Sequence, residues 1–401
     1  MGVAVVTPEG IVTRLGHFAR PRHIGAADLA HRAIDRGIED LFYDYDPPPS
    51  YWQDGAGKGD FPPDGSHPLR GRYVTGRGAV FIHDARQSDW LEPPAAIALA
   101  ACDDALAALR CNYLGYSPAW RGMQLLNRTR ALHREWFDYP NPPEGGKQHD
   151  RPPDFITPPC GRYDGHYLHI YDMRAAYPAA ARSVVLGWGE TTYTRTFNPR
   201  AAGLWNVTLP SPVTVGPITA PGTYDTATVR AQLHLNLPCT ILGGRVFTAH
   251  ATVLRQWSER MAEARAALDG NPAALALVKK VWTRTLGRLA NPKSEWAYHP
   301  QWWYAIVAES GRRVWYQIKD RPEVIGAATD TIIVRSTDPN PATAYPPYGA
   351  RTTTGPGTLR HVGMVEWSRG IADLASTAGS GGRFMRELES RHCLYPYTGG
   401  A

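Results

Sequence analysis

The sequence predicts an α+β fold in more than one domain, and three observations carry that reading. Short segments read as strands: Tyr167–Asp172, the pair Val324–Ala328 and Thr331–Val334 around an apolar run, and Gly203–Leu209 and Ala231–Cys239, which alternate apolar and polar residues. Apolar residues recur at three- and four-residue spacing over Thr252–Leu268, Pro272–Ala290 and Trp302–Ile318, which predicts helices there. A stretch at 138–162 holds seven prolines and no apolar period, so it reads as a linker between an N-terminal and a C-terminal region.

Each element has a local cause. In the N-terminal region Ala27–Ile38 and Pro94–Leu109 read as helices and Ala79–His83 as a strand. In the C-terminal region, Leu254, Trp257, Met261, Ala264 and Leu268 form the apolar stripe of one helix. Asp269-Gly270 stops it, and Asn271-Pro272 restarts the next with a capping residue and a proline at the first helical position. So short a turn predicts an antiparallel helical hairpin. Thr329-Asp330 reads as the turn of a β-hairpin.

Composition narrows the class. The chain has 401 residues, of which 43% are hydrophobic and 20% charged, which is globular rather than disordered. No apolar run approaches the roughly 18 residues of a spanning helix, and neither a secretory signal nor a myristoylation signal is expected (Val6 stands where Ser or Thr would be needed). The expected location is the cytoplasm, with no membrane partner. Five scattered cysteines without a C-x-x-C pair argue against disulfide and zinc frameworks. The net charge of +6 permits an anionic partner. Between Gly270 and Ser294 lie Lys279, Lys280, Arg284, Arg288 and Lys293 with no acidic residue, a run suited to phosphate contact or to a solvated face.

Two carboxylates stand at strand ends. Asp172 closes a strand in YDMRAAYP, and Asp330 sits at the tip of an apolar hairpin. Each has a plain reading as a capping or turn residue. Together, opposite a basic helix, they suit two Mg²⁺ ions about 3.5–4 Å apart that clamp the attacking and leaving oxygens of a phosphoryl displacement.

These residues resemble the three polymerase motifs of family B DNA polymerases, in particular the phage-type, protein-primed branch. The first motif, an aspartate followed five residues later by Tyr-Pro, is matched by Asp172 to Pro178, with Ala175 and Ala176 replacing the usual Ser and Leu. In the second, Lys279 and Gly287 match, whereas Thr283, Arg284 and Leu286 replace Asn, Ser and Tyr. The third, usually Asp-Thr-Asp-Ser, reads Ala328-Thr329-Asp330-Thr331. The resemblance runs from Cys160 to Glu366. It implies a right-handed polymerase fold with an antiparallel-sheet palm, two-helix fingers and a small thumb, preceded by an α/β exonuclease-like remnant. The implied division is 1–137 reduced exonuclease-like domain, 138–162 linker, 163–250 and 293–345 palm, 251–292 fingers and 346–401 thumb.

The resemblance also implies roles. Asp172 and Asp330 are the expected catalytic, metal-binding pair, with the backbone carbonyl of Met173 as a further ligand to two Mg²⁺ (Mn²⁺ being the alternative ion). Tyr177 is the expected steric gate against a 2′-hydroxyl. Lys279 and Thr283, with Arg260 across the hairpin, are expected at the incoming nucleotide. Lys280, Arg284, Gly287, Arg288 and, in GTLRHVGMVE, Arg360 are expected at DNA. Asp44, Asp46 and Asp89 stand where exonuclease acids would be, in a region too short for a full exonuclease. The interval between Gly287 and Asp330 is too short for the insertion some protein-primed enzymes use in strand displacement.

The expected activity is primer extension with deoxynucleoside triphosphates on a DNA template, without proofreading. Expected partners are primer-template DNA, dNTPs and a terminal protein or primase, in a prokaryotic host or its phage. Ala328 keeps two other readings open: an inactive DNA-binding replication accessory on the same fold, and a primer-synthesising enzyme.

Overall fold

The computed structural model describes residues 3–7, 10–13, 16–17, 32–43, 71–75, 78–84, 90, 99–115, 117–129, 150–157, 166–293, 298–345 and 356–391. The strands are β1 (Val3–Thr7), β2 (Gly10–Thr13), β3 (Gly16–His17), β4 (Asp40–Tyr43), β5 (Gly71–Thr75), β6 (Gly78–Asp84), β7 (Asp154–Ile156), β8 (Tyr167–Met173), β9 (Leu186–Thr194), β10 (Gly203–Thr208), β11 (Gly222–Asp225), β12 (Thr240–Ala251), β13 (Val324–Ala328), β14 (Thr331–Ser336) and β15 (Leu359–Glu366). The helices are α1 (Leu99–Leu109), α2 (Pro118–Thr129), α3 (Ala176–Ser183), α4 (Thr226–His234), α5 (Arg255–Ala267), α6 (Pro272–Ala290), α7 (Pro300–Ile318), α8 (Pro341–Ala344), α9 (Arg369–Ala378) and α10 (Gly381–Ser390). No described helix is long and apolar enough to cross a membrane. The chain is mixed α and β, with antiparallel sheets, in two units: 1–132 with 259–294, and 133–258 with 295–401.

The first unit holds a six-stranded sheet in the order β3-β2-β1-β4-β6-β5, with β1, β4 and β6 mutually parallel. Asp40 is buried in it and accepts hydrogen bonds from the backbone N–H groups of Leu114 and Gly115. Helix α6 packs on α1 and α2. Gly122 of α2 lies so close to α6 that an added Cβ would sit 1.6 Å from Thr285 Oγ1, so only glycine permits this approach. Asn271 caps α6 by accepting from Ala274 N and donates to Asp104 of α1.

The second unit has two antiparallel sheets. The five-stranded one, β15-β8-β14-β13-β7, is buried on both faces along its central strands. Leu168, Ile170 and Ile333 face Ile371, Leu374, Phe384 and Leu388 of α9 and α10; Tyr171, Met173, Ile332 and Val334 face Val314 of α7 and Tyr345. Fully burying each such aliphatic side chain is worth about 1.5–3 kcal/mol, so both faces hold the sheet. The four-stranded sheet, β11-β10-β12-β9, packs Trp205, Val207 and Tyr224 against Val229 of α4.

Two expectations change. Residues within Ala231–Cys239 do not form a strand: α4 runs to His234, capped by Asp225, and Asn236 in the left-handed region ends it. The alternating leucines misled because Leu233 is exposed, whereas buried Val229 and Gln232 keep helical spacing. Within the 138–162 stretch, Asp154–Ile156 form edge strand β7, held by pairing with β13 and by Phe155 stacked on Trp315. In the described part of 346–401, the expected thumb, β15 pairs with β8 in the five-stranded sheet, and α9 and α10 pack on that sheet. Finally, most of the expected fingers, 259–292, groups with the N-terminal residues. Cys102 and Cys111 are buried free thiols and Cys239 is a half-buried one, as the scattered spacing suggested.

Candidate active site

The register of the five-stranded sheet draws one row across it: Arg360 opposite Asp172, Asp172 opposite Thr331, Thr331 opposite Ala328, and Ala328 opposite Asp154. Directly paired residues project from the same face about 4.5–5.5 Å apart. Asp172 therefore stands beside Thr331, the residue that follows Asp330 in the hairpin turn. The backbone N–H of Met173 donates to the Asp330 carbonyl at 2.9 Å, which fixes the end of β8 to that turn. Met173 itself is buried.

Arg360 claims one side of this row. Its Nη2 and Nε lie 3.1 and 3.3 Å from Asp172 Oδ2, with the side chains 43% and 25% exposed. The expected DNA contact is thus an ion-pair partner of the first carboxylate. An exposed pair of this kind is worth only about 0–1 kcal/mol, so a cation or an anionic ligand can break it cheaply.

Both loops beside the carboxylates carry a non-glycine residue in the left-handed region: Ala175 at φ 47° and Thr329 at φ 58°. For a β-branched threonine this conformation is costly, on the order of 1–3 kcal/mol, and persists only where the surroundings enforce it. Thr329 N donates to Pro153 O at 2.7 Å, and Arg174 exchanges backbone bonds with Gly357 and Thr358. These bonds hold the strained turns in place.

Ala175 also turns the chain into α3, whose first turn presents Tyr177. Its ring stacks on Trp303 of α7 with centroids 5.7 Å apart. Burial raises the Tyr177 hydroxyl above its ordinary pKa, and the negative charge of Asp330 adds to the shift. The phenol stays protonated at neutral pH. Asp172, Met173, Tyr177, Asp330 and Arg360 are thereby gathered in one unit.

The remaining expected residues belong to the other unit. On α6, Lys279, Thr283, Arg284, Gly287 and Arg288 are all exposed and share one face at i, i+4, i+5, i+8 and i+9. Thr283 turns its hydroxyl back to Lys279 O at 2.8 Å. Lys280 departs from that face and donates to Trp90 O at 3.3 Å. Arg260 of α5 donates to Leu109 O at 2.8 Å and lies 4.0 Å from Glu263. Both are engaged with their own unit. An added Cβ at Gly287 meets nothing within 4 Å, so packing gives no reason for a glycine there. Asp44, Asp46 and Asp89 lie outside the described residues.

Among solved structures, the chain is similar to phi29 DNA polymerase. Against its orthorhombic crystal form the TM-score is 0.43 at 10% identity, over 84% of this chain and 77% of that one. Against its complex with primer-template DNA and incoming nucleotide the TM-score is 0.44 at 10% identity over the same shares. Against its complex with single-stranded DNA the TM-score is 0.41 at 11% identity, over 82% and 76%. No protein-family model and no curated protein matches the sequence. A likeness at that level says nothing of chemistry, which rests on this chain's own residues.

Those residues are hard oxygen donors, two carboxylates and a backbone carbonyl, of the kind Mg²⁺ and Mn²⁺ take together with water and substrate phosphates. Among the described residues no group of three or more His, Cys, Asp or Glu is gathered that could hold a metal ion. The sequence missed Arg360's partner, because register between β15 and β8 is a long-range property. It also gave no sign that Trp303 stacks on Tyr177, another long-range contact.

Proposed function

We propose that the chain is a template-dependent DNA polymerase of the family B kind that extends a primer 3′-hydroxyl with deoxynucleoside triphosphates. The observation that carries this reading is the register that sets Asp172 beside the Asp330 turn, with Tyr177 one turn of chain away. A carboxylate near a strand end beside another in the turn of the neighbouring hairpin suits in-line phosphoryl displacement, in which position and charge do nearly all the work. Mg²⁺, when bound, would lower the pKa of the attacking hydroxyl and offset the charge developing on the pyrophosphate. Asp172 and Asp330 would hold it, with the Met173 carbonyl as a further oxygen. Tyr177, braced by Trp303, would exclude a ribose 2′-hydroxyl. Lys279, on the exposed face of α6, would meet the triphosphate, and Arg284 and Arg288 the DNA backbone.

A second reading, a DNA-binding accessory without catalysis, is favoured by two observations: Ala328 in place of a carboxylate, and Arg360 paired to Asp172.

Primer extension separates them. A labelled primer on a longer template, with Mg²⁺ and four deoxynucleotides, is expected to be extended by the wild-type chain. Asp172→Asn and Asp330→Asn are each expected to lower the rate by roughly 10²–10³-fold or more, the scale of losing one preorganised charge-stabilising group. Extension that survives either change would sink this assignment of the site. Wild-type chain that binds primed DNA and extends nothing would establish the accessory.

A further inference from the structure

A cavity of about 220 Å³ opens in the second unit between the end of α3, the start of α4 and the middle of α7. Its lining includes Ser183, Arg200, Arg230, Glu309, Arg312 and Arg313. The carboxylate pair and Tyr177 make no use of these residues.

Glu309 organises the cavity wall. It is 3% exposed and is the acceptor for both neighbouring guanidiniums. Arg312 reaches it through Nε at 2.7 Å and Nη2 at 2.8 Å, a bidentate pair, and Arg313 through Nε at 3.3 Å. Ser183 Oγ donates to Glu309 Oε1 at 3.0 Å and accepts from Arg313 Nη2 at 2.9 Å. Burial alone would raise the Glu309 carboxyl, yet the hydrogen bond and charge of Arg312 outweigh it and hold the group below its ordinary value. It is therefore ionised at neutral pH.

Two carboxylates, Glu309 and Asp225, border the cavity against four guanidiniums, so a positive excess remains. Asp225 is the second of these carboxylates. Its carboxyl accepts from Ala227 N, and burial beside Asp150 pushes its pKa well above the usual range. Burial lowers the pKa of Arg313, attraction to Glu309 opposes that shift, and repulsion from Arg312 adds to it. A buried ion pair adds little stability over an apolar one. What Glu309 supplies is orientation: it fixes two planar forks whose Nη1 groups stay outside its own network, the arrangement by which arginine recognises phosphate.

We infer that this cavity is a phosphate-binding site distinct from the carboxylate pair. It is smaller than the roughly 300–1,000 Å³ that house a drug-sized ligand, so it suits one phosphate group rather than a whole nucleotide. Ser183 follows Tyr177 by six residues of α3, roughly 9 Å along the helix axis, so the two sites share a helix without sharing residues. The phosphate comes from a nucleic-acid strand or from the free ion.

The test uses the full chain and a short fluorescein-labelled oligothymidine, followed by anisotropy across a salt series, with inorganic phosphate as competitor. Arg200→Glu and Arg230→Glu change exposed residues, and melting curves verify that both variants fold. Each is expected to weaken oligothymidine binding about tenfold and to reduce the slope of log K against log salt by about one. Arg195→Glu, exposed and outside the cavity, is expected to leave both unchanged. Phosphate that displaces the strand from wild type but not from Arg230→Glu would make the free ion a ligand too; no displacement would leave the strand as the source. The inference fails if the cavity variants match wild type in affinity and slope, or if Arg195→Glu matches the cavity variants. A chain that extends no primer yet shows this arginine-dependent binding would sink the polymerase reading alone.

Discussion

Tyr177 occupies the first turn of α3 because Ala175 bends the chain out of β8 in a left-handed conformation. Its ring is fixed by Trp303, which makes a rigid floor of a side chain that would otherwise rotate. Under the polymerase reading, Tyr177→Ala is expected to relax discrimination against ribonucleotides by roughly 10²-fold with little change in deoxynucleotide extension. Tyr177→Phe should retain discrimination. Single-nucleotide incorporation assays read both, and an alanine variant that still rejects ribonucleotides would remove Tyr177 from the gate. At Arg360 the expectation differs in kind. Arg360→Gln frees Asp172, so half-maximal extension is expected at a lower Mg²⁺ concentration. The shift should stay within about fivefold, because so exposed a pair is worth about 0–1 kcal/mol.

At the scale of elements, α6 places its cations by helical period alone. Lys279, Thr283, Arg284, Gly287 and Arg288 share the exposed face, while Lys280, one residue on from Lys279, turns to Trp90. Glycine in a helix interior costs about 1 kcal/mol relative to alanine, and the space around Gly287 is empty. Gly287→Ala is therefore expected to raise stability by about 0.5–1 kcal/mol in denaturant melts while, under the polymerase reading, reducing primer extension, since that reading sets this face of α6 against DNA. Stabilisation with undiminished extension would strip Gly287 of any functional role. The β13–β14 turn shows the same logic from the other side. Nothing in Thr329 favours a positive φ, so its conformation is enforced by the pairing of Ala328 with Thr331 and by the bond to Pro153.

At the scale of the whole molecule, the fold has a pH dependence that no single motif suggests. His169 and His361 meet across β8 and β15, with Nδ1 and Nε2 3.3 Å apart, and His169 Nε2 donates to Asp338 O at 2.8 Å. Tyr171 packs against both rings. Burial, then the neighbouring His169, lowers the pKa of His361 from 6.5 to about 4, and burial lowers His169 as well. Both rings are neutral in the fold, whereas the unfolded chain binds protons below about 6.5. The unfolded state thus holds more protons between pH 4 and 6.5, so stability rises with pH across that window and levels off above it. Melting temperature measured from pH 4 to 8 is expected to follow this course, and His361→Asn should flatten it. A curve indifferent to the substitution would mean that other groups govern the acid limb.

The sequence by itself determined most of the local elements in the C-terminal region. Helix α6 begins and ends where Asn271-Pro272 and the apolar stripe put it, and the hairpin turns at Thr329-Asp330, because caps, turns and periodicity are written within a few neighbouring residues. Ala231–Cys239 shows the limit of such reading, since alternation there lost to a cap at Asp225. Register was decided only in the tertiary structure. That Arg360 lies opposite Asp172, that a proline-rich stretch supplies β7, and that Arg312 and Arg313 converge with Ser183 on Glu309 all depend on residues far apart in the chain. A strand carries no mark of which partner it will pair with. That choice is settled by burying both faces of the sheet at once, a property of the assembled core rather than of any segment in it.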